Sequence, residues 1–292
     1  MDLINDDASS NEKTIMAWNG VLYDKFERFR RVLTAGLAIH GDVAIARHCD
    51  KRLCRVLDLG CGFGDTALQI AARLGTQAHV VGVDAAERFV AAARQSAQQA
   101  RVTNCNFLRG DLEVCQLPGP FDFAFSRFGT MFFERPVQAL RNIRRALAPG
   151  ARLCMVAWRK REDNPAVYVA ECIARRIVPV VEDGSALTCG PGPFSMSSAD
   201  VTSDMLLRAG FENPQLERHD APICVGSTID EAVQFALELG PAGELLRLAQ
   251  ERGEDLRPAV AEALRDAFGK LNTRDGVRLG SSTWIVSATN PP

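Results

Sequence analysis

The sequence lacks several features that mark other classes of protein. Its 34 Lys and Arg face 36 Asp and Glu, a net charge of −2, so there is no basic excess to bind nucleic acid or an anionic membrane. No apolar run reaches the roughly 18 to 20 residues that span a bilayer. Residues 1–13 are polar and acidic, unlike a signal peptide. These absences predict a cytoplasmic protein with no membrane span and no nucleic-acid partner.

Paired cysteines are missing as well. The nine cysteines are odd in number and contain no C-x-x-C pair, which argues against a zinc site or a redox motif. Small buried thiols in a reducing cytoplasm are the simplest interpretation, and no metal is expected. A cysteine-based arsenic site stays open, because spacing alone does not exclude it.

The pattern of apolar residues predicts one α/β domain. Helical patterns alternate with apolar strand-like runs, which is typical of a doubly wound, mostly parallel sheet. A single core with insertions is the simplest account of the chain length. The predicted strands are 55–59, 79–84, 106–109, 121–127, 151–158, 215–225 and 277–289.

Four further segments complete the predicted organisation. Residues 1–13 are expected to be a mobile tail, and residues 14–292 form the domain. Apolar residues at spacings of three and four predict a helix over 14–37. Two insertions are predicted, at about 164–198 and 227–270. The first looks helical over 164–181 and continues as a Gly/Pro/Ser-rich loop, and the second is a run of helices broken at Gly240-Pro241 and Gly253. We expect these insertions to form a lid over the carboxyl edge of the sheet.

The most informative stretch follows the first strand, where Gly60, Gly62 and Gly64 occupy every second position before a helical pattern. A strand, a glycine turn and a helix let the backbone approach a nucleotide closely. A turn that binds nothing is one alternative. A nicotinamide dinucleotide site is another, but its spacing is G-x-G-x-x-G. Here Asp65 follows the last glycine and would repel a pyrophosphate, so a ligand without phosphate is favoured.

Two acidic residues follow later strands. Asp84 ends the second apolar run, where a carboxylate can accept hydrogen bonds from both ribose hydroxyls. The alternative is an N-cap for the helix that begins near Glu87. Asp111 follows Gly110 after the third strand, where an ordinary turn residue is the alternative.

Together these motifs resemble the class I S-adenosylmethionine (SAM)-dependent methyltransferases. The resemblance covers roughly Arg55 to Trp158 and includes Pro149-Gly150 before the fifth strand. Within the class, the turn 126–129 and the helix end at 147–150 resemble the ubiquinone/menaquinone-biosynthesis type and its small-molecule relatives. The resemblance implies a seven-stranded sheet whose last strand is antiparallel, with SAM as the methyl donor.

The resemblance also assigns site residues. The implied role of Asp111 is to accept from the adenine amino group, while Leu112 packs on the ring. A cation–π contact between the phenylalanines after the fourth strand and a sulfonium is physically sensible. The predicted cofactor-binding residues are Asp58, Gly60, Gly62, Gly64, Asp84, Asp111, Leu112, Ser126, Arg127 and Trp18. The predicted substrate-binding residues are Phe128, Phe132 and Tyr23.

No motif marks a catalytic base, and His219 is the best candidate among the four histidines. The missing base favours an acceptor that is already nucleophilic, methylated on oxygen, carboxylate or carbon by in-line displacement. The apolar residues of the two insertions indicate a small, hydrophobic acceptor. The Asn-Pro-Pro-aromatic motif of many nucleic-acid and protein methylases is absent. A non-catalytic SAM-binding regulator is the alternative, and a nicotinamide-dependent oxidoreductase is disfavoured by the glycine spacing. A homodimer is compatible with the sequence, which does not require one.

Overall fold

A computed structural model describes residues 11–179 and 191–292, which build one twisted sheet with helices on both faces. The strands are β1 (Arg55–Leu59), β2 (His79–Asp84), β3 (Cys105–Arg109), β4 (Phe121–Arg127), β5 (Leu147–Trp158), β6 (Glu212–Gly226), β7 (Asn272–Thr273) and β8 (Gly276–Thr289). Their order in the sheet is β3-β2-β1-β4-β5-β8-β6. The first five strands in this order are parallel, and β8 is antiparallel to both of its neighbours.

The described residues contain eight strands, not seven. The additional strand, β7, is a two-residue hairpin arm that pairs with the beginning of β8. Thr273 donates its hydroxyl to the carbonyl of Gly276 across 2.9 Å and closes the turn. So short a strand has no apolar alternation, which is why the sequence pattern did not predict it. The other strands confirm the doubly wound, mostly parallel sheet with an antiparallel last strand.

Helices cover the two faces of the sheet in separate layers. The helices are α1 (Glu12–Asn19), α2 (Val21–Arg28), α3 (Ala38–His48), α4 (Asp65–Leu74), α5 (Glu87–Gln99), α6 (Pro136–Arg145), α7 (Pro165–Ile177), α8 (Ala199–Arg208), α9 (Ile229–Glu238), α10 (Pro241–Leu248) and α11 (Glu251–Gly269). Buried residues of α3, α4 and α5 pack on one face, and those of α6 and α8 on the other.

The single helix expected over 14–37 is wrong, because this segment is α1, α2 and a π-helical turn at Val32–Gly36. The first break is at Gly20, whose backbone is not helical. At the π-helical turn, a Cβ on Gly36 would lie 2.5 Å from the carbonyl oxygen of Cys224, so only glycine lets the chain press this closely on β6. Residues 1–10 of the expected tail lie outside the described residues, whereas Asn11 is buried at the start of α1.

The insertions form a helical layer of their own. Helices α7, α9, α10 and α11 share a core with the ends of β6 and β8. The second break in this region is at Gln250, not at Gly253 as expected. Gly253 lies inside α11, where a Cβ would meet the carbonyl oxygen of Leu246 at 1.9 Å, so the glycine permits close approach of α10. Residues 180–190 of the first insertion lie outside the described residues.

Among all the helices in the described ranges, none has the length and apolar character needed to cross a bilayer.

Candidate active site

A cavity of about 210 Å³ lies at the carboxyl ends of β1 to β4, where open α/β sheets bind ligands. Most of the site residues predicted from the sequence line this pocket. They are Trp18, Asp58, Gly60, Gly62, Asp84, Asp111, Leu112, Arg127, Phe128 and Phe132. The remaining predicted residues, Tyr23, Gly64, Ser126 and His219, lie outside the lining.

The three glycines after β1 have different surroundings. Gly62 has a φ of 51°, and no atom lies within 4 Å of where its Cβ would be, so its backbone faces open space. A Cβ on Gly64, in contrast, would lie 2.7 Å from the ring of Phe107 and 2.8 Å from Ala93. The last glycine therefore lets α4 pack on its neighbours, and the middle one presents main chain to the pocket.

Asp84 is held by main-chain donors at the end of β2. Its Oδ2 accepts the N–H of Gly62 at 3.0 Å, and its Oδ1 accepts the N–H of Ala86 at 2.9 Å. Burial raises the pKa of this carboxyl, while the main-chain N–H groups of Ala86, Gly62 and Ala85 oppose the rise. Ala86, not Asp84, is the N-cap of α5, so the capping alternative is wrong. The fixed carboxylate keeps lone pairs for a ligand in the pocket.

Asp58 has an unpartnered oxygen on the pocket wall. The residue is 1% exposed, and its Oδ2 has no hydrogen-bond partner among the described residues. Burial raises the pKa of Asp58 to about 8, the negative charges of Asp65 and Asp84 act in the same direction, and Arg127 opposes them. A buried, unpaired acceptor is costly unless something donates to it. This end of the pocket therefore suits a ligand with a cationic N–H donor.

Arg127 lies beside Asp58 at the end of β4. Its Nη2 donates to Oδ2 of Asp65, and its side chain is only 8% exposed. A Cβ on Gly41 would lie 2.9 Å from Cδ of Arg127, so α3 packs tightly against the arginine. The carboxyl groups of Asp58 and Asp65 and one guanidinium thus meet at this end, an arrangement that can bind both charges of an amino acid once Asp58 is deprotonated.

The turn after β3 forms the opposite end of the pocket. Asp111 is 6% exposed, and its Oδ1 accepts the N–H of Glu113 at 2.9 Å. Nδ2 of Asn11 lies 3.5 Å from its other oxygen, so the start of α1 reaches this turn. Leu112, buried beside it, adds an apolar surface suited to a flat ring.

Aromatic side chains of the N-terminal segment cover the pocket. Trp18 packs edge-on against Phe132 and Phe26, with ring centroids 4.9 and 5.1 Å apart. Tyr23 contributes indirectly, since its ring packs on Phe89 at 4.9 Å behind the lining. No described residue of the insertions at 164–198 and 227–270 lines the pocket. Side chains of α1 and α2 therefore cover the described pocket, and the lid expected from the insertions over the carboxyl edge of the sheet stays a prediction.

The turn after β4 brings Phe128 to the pocket wall. Phe128 has a φ of 61°, a left-handed conformation that costs a non-glycine residue of order 1–3 kcal/mol. Its ring stacks on Trp158 with centroids 4.3 Å apart and planes 16° apart, which offsets part of that cost. Ser126 lies behind this turn, fully buried, and donates its hydroxyl to the carbonyl of Leu59 at 2.8 Å. It links β4 to β1 rather than facing the pocket.

His219 lies on β6, away from the pocket. Its Nδ1 is 2.8 Å from Nδ1 of His40, and burial lowers its pKa. Within the part of the chain that the structure describes, no histidine lines the pocket. His219 is therefore not placed to take a proton from a bound acceptor. The residues that the structure describes contain no group of three or more His, Cys, Asp or Glu side chains that could hold a metal ion.

Comparison with known proteins matches residues 50–202, just over half of the chain, to a family described as a methyltransferase domain. The chain belongs to this family. The resemblance inferred from the motifs between Arg55 and Trp158 is thereby confirmed.

Curated relatives of this methyltransferase-family protein carry a more specific name. A demethylmenaquinone methyltransferase of Thermus thermophilus is 35% identical over 131 residues, covering 44% of this chain and 59% of the relative. One from Listeria welshimeri is 31% identical over 104 residues, covering 35% of this chain and 43% of the relative. The chain thus spans about half the length of the curated relatives it matches.

Solved structures share the fold of this methyltransferase-family protein. The YcgJ protein of Bacillus subtilis has a TM-score of 0.57 at 20% identity, covering 87% of this chain and 99% of that one. Phosphoethanolamine N-methyltransferase 2 of Haemonchus contortus has a TM-score of 0.56 at 16% identity, covering 94% of this chain and 60% of that one. At these identities the likeness shows the fold, which confirms the class I methyltransferase sheet.

Sequence reasoning missed one side of the pocket. The side chains that it missed come from two segments. The π-helical turn and the residue after it contribute Leu33, Thr34 and Leu37, and the start of α1 contributes Asn11 and Thr14. A π-helical turn has no periodic signal of its own, because it shifts the register of the side chains that follow it. Asp65 also lines the pocket; its position next to Gly64 was the one available signal.

Proposed function

We propose that this protein transfers a methyl group from SAM to a small, hydrophobic acceptor. The observation that carries the proposal is the unpartnered, buried Oδ2 of Asp58 on the wall of a pocket that also contains Arg127 and Asp84. These groups fit a ligand that has an ammonium, a carboxylate and a ribose. When bound, SAM supplies a methyl group activated by a sulfonium.

Each end of the pocket has its own part in holding the donor. Asp58 accepts from the ammonium, and Arg127 exchanges part of its contact with Asp65 for the ligand carboxylate. Asp84, fixed by Gly62 and Ala86, accepts from the ribose hydroxyls. At the far end, the Asp111 carboxylate accepts from the adenine amino group and Leu112 packs on the ring.

Charge favours this donor over a nicotinamide dinucleotide. The pocket wall carries the carboxyl groups of Asp58, Asp65, Asp84 and Asp111, with Arg127 as the basic group beside the first two. A pyrophosphate would meet Asp65 at the start of α4, where such motifs normally leave the helix N-terminus open to an anion. SAM brings positive charge and no phosphate, so its charges complement the wall.

The acceptor end is apolar. Leu33, Leu37, Phe128 and Phe132 line this end, and their apolar side chains exclude water from the transferred methyl group. Because no histidine lines the described wall, the residues act by aligning and desolvating an acceptor that is already nucleophilic. The names of the curated relatives support a quinone-like ring methylated on carbon as the first acceptor to test.

Location and partners follow the same proposal. All eight cysteines in the described ranges are free thiols, which supports a reducing cytoplasm. The net charge of −2 supports a small-molecule acceptor rather than nucleic acid.

Calorimetric titration with SAM, S-adenosylhomocysteine and NAD tests the donor. We expect SAM and S-adenosylhomocysteine to bind and NAD to give no heat of binding. Binding of NAD alone would overturn the proposal. Transfer of a labelled methyl group to a short-chain demethylmenaquinone then tests the acceptor. Donor binding without transfer to any acceptor in a panel of quinones, phenols and carboxylic acids would identify a SAM-binding regulator instead. Asp204→Asn, which changes an exposed acid on α8, is the matched control.

A further inference from the structure

A buried histidine lies directly behind the acceptor end of the pocket without lining it. His40, near the start of α3, is 0% exposed, and its ring packs edge-on against two aromatic side chains. The ring centroids are 6.2 Å from Phe128 and 5.9 Å from Trp158, with interplanar angles of 83° and 79°. His40 therefore supports both members of the stack that carries the pocket wall.

The imidazole of His40 is fixed by hydrogen bonds to β6 and β8. Its Nε2 lies 2.7 Å from Oγ of Ser281, and that hydroxyl donates to the carbonyl of Ala221 at 2.7 Å. Since the hydroxyl proton is committed to Ala221, Nε2 must be the donor to Ser281. Nδ1 then accepts, and Nδ1 of His219 at 2.8 Å and the hydroxyl of Thr283 at 3.0 Å are positioned to donate to it.

The charge state of His40 agrees with this network. Burial lowers the pKa of His40 to about 4; His219 and Arg127 act in the same direction, and Asp220 opposes them. The ring is therefore neutral at neutral pH, with one donor and one acceptor, as the hydrogen bonds require. These three groups are the charged or titratable ones that act on His40 from β4 and β6.

The conformation of Phe128 explains why such a support is needed. Its φ of 61° is unfavourable for a non-glycine residue, and such backbone persists only where the surroundings over-determine it. The main-chain N–H of Phe128 donates to the carbonyl of Val156 at 2.9 Å, which fixes the backbone of the turn. The side chain is held separately, by its stack on Trp158 and by the edge of the His40 ring.

We propose that His40 is a positioning residue: it orients the Phe128–Trp158 stack, and so shapes the acceptor end of the pocket, without touching the bound molecules. This proposal rests on the proposed function, because that function is what assigns a methyl acceptor to this end of the pocket. Its structural half, the dependence of the stack on the His40 ring, stands independently of which acceptor is used.

Fluorine NMR on protein labelled with 5-fluorotryptophan tests the structural half. The resonance of Trp158 is assigned by its disappearance in Trp158→Phe. We expect His40→Leu to move or broaden this resonance while that of Trp284, which does not contact His40, stays in place. His40→Gln retains a donor close to the position of Nε2 and should restore part of the signal. If His40→Leu does not fold, His219→Leu, which removes the donor to Nδ1 and an edge-on ring contact but leaves the His40 ring, should shift the same resonance less strongly.

Kinetics test the functional half, with short-chain demethylmenaquinone as the acceptor. We expect His40→Leu to raise the acceptor KM roughly three- to tenfold, the fold-change that corresponds to one lost aromatic contact. The affinity for S-adenosylhomocysteine should stay near that of the unaltered protein. His79→Leu, at the amino end of β2 and outside the pocket lining, is the control and should change neither quantity.

The outcomes separate the two proposals. An unmoved Trp158 resonance in His40→Leu, or a moved resonance with an unchanged acceptor KM, would overturn the positioning role. A lowered melting temperature with both readouts unchanged would assign His40 to packing alone. If the unaltered protein transfers no methyl group at all, the proposed function fails and the fluorine resonance decides the role of His40 by itself.

Discussion

Gly62 and Asp84 are joined across the carboxyl edge of the sheet by a hydrogen bond of 3.0 Å from the glycine N–H to the aspartate Oδ2. The bond links the glycine loop after β1 to the end of β2. It also points the free lone pairs of the carboxylate at the pocket. Two motifs that lie far apart in the chain thus form one surface, and this surface is the most direct place to test the site.

Asp84→Asn should weaken S-adenosylhomocysteine binding by about 10- to 100-fold, the range expected for losing hydrogen bonds to a charged acceptor. The amide nitrogen would face the N–H of Gly62 or Ala86, so the side chain must also turn. Calorimetry measures the effect, with Asp204→Asn as the control. Equal affinity in both variants would remove Asp84 from the donor site.

Donor binding should strengthen as pH rises toward about 8. Burial raises the pKa of Asp58 to about 8, so the ligand-free carboxyl is largely protonated at lower pH and must release a proton to accept from an ammonium. Below that pH, affinity for S-adenosylhomocysteine should rise by up to about tenfold per pH unit and then level off. Titration in two buffers of different ionisation enthalpy measures the released proton.

Asp58→Asn provides the comparison for this pH profile. The variant should bind weakly and show a flat profile over the same range. Without ligand, the raised pKa stabilises the folded protein fully below the unfolded value of about 3.9, and that stabilisation is lost as pH rises through about 8. The melting temperature of the unaltered protein should therefore fall relative to that of Asp58→Asn as pH rises toward 8. A parallel dependence in both proteins would contradict the assignment.

Gly62→Ala should weaken ligand binding, whereas Gly64→Ala should lower the stability of the fold. The Cβ at position 64 meets Phe107 and Ala93 below 3 Å, so this variant should lose stability by roughly 1–3 kcal/mol or more. At position 62 the Cβ meets nothing, so the cost is mainly backbone strain and the new methyl group projects toward the ligand. Thermal unfolding and calorimetry together should show a stability defect for the first and a binding defect for the second. A binding defect in Gly64→Ala and a stability defect in Gly62→Ala would contradict these roles.

Trp18→Ala should increase the dissociation rate of S-adenosylhomocysteine. The indole closes the pocket through its contacts with Phe132 and Phe26, and its loss opens the cover. Stopped-flow displacement measures the rate, and the association rate should change less, because most effects of contact loss are in dissociation. Trp284→Phe, on β8 outside the pocket, is the control. An unchanged dissociation rate in Trp18→Ala would mean that α1 does not act as the cover.

Local signals predicted the core of the fold and one wall of the site. Continuous apolar runs marked the buried parallel strands, because a strand covered on both faces needs apolar residues on both. Gly60, Gly62 and Asp84 were recognisable because their chemistry depends on neighbours close in the chain. Their presence at the pocket follows from parallel strands ending at the same edge.

Other features depended on contacts between distant segments. The break at Gly20, the π-helical turn before Leu37 and the edge contact of His40 have no local signal, since each arises where α1 to α3 pack on the sheet. The surface that the insertions cover has no local signal either, and their described residues do not line the pocket. Their helical patterns were correctly recognised, but an amphipathic helix does not specify which surface its apolar face will meet.

The sequence by itself therefore determined the sheet, its alternation with helices and the acidic glycine loop of the proposed donor site, because these depend on spacing within short segments. Only the tertiary structure decided that Leu33, Thr34 and Leu37 line the pocket, which glycine faces it and which histidine contacts Phe128. Those relationships join residues that are distant in the chain, and packing alone selects among the many pairings that the same patterns permit.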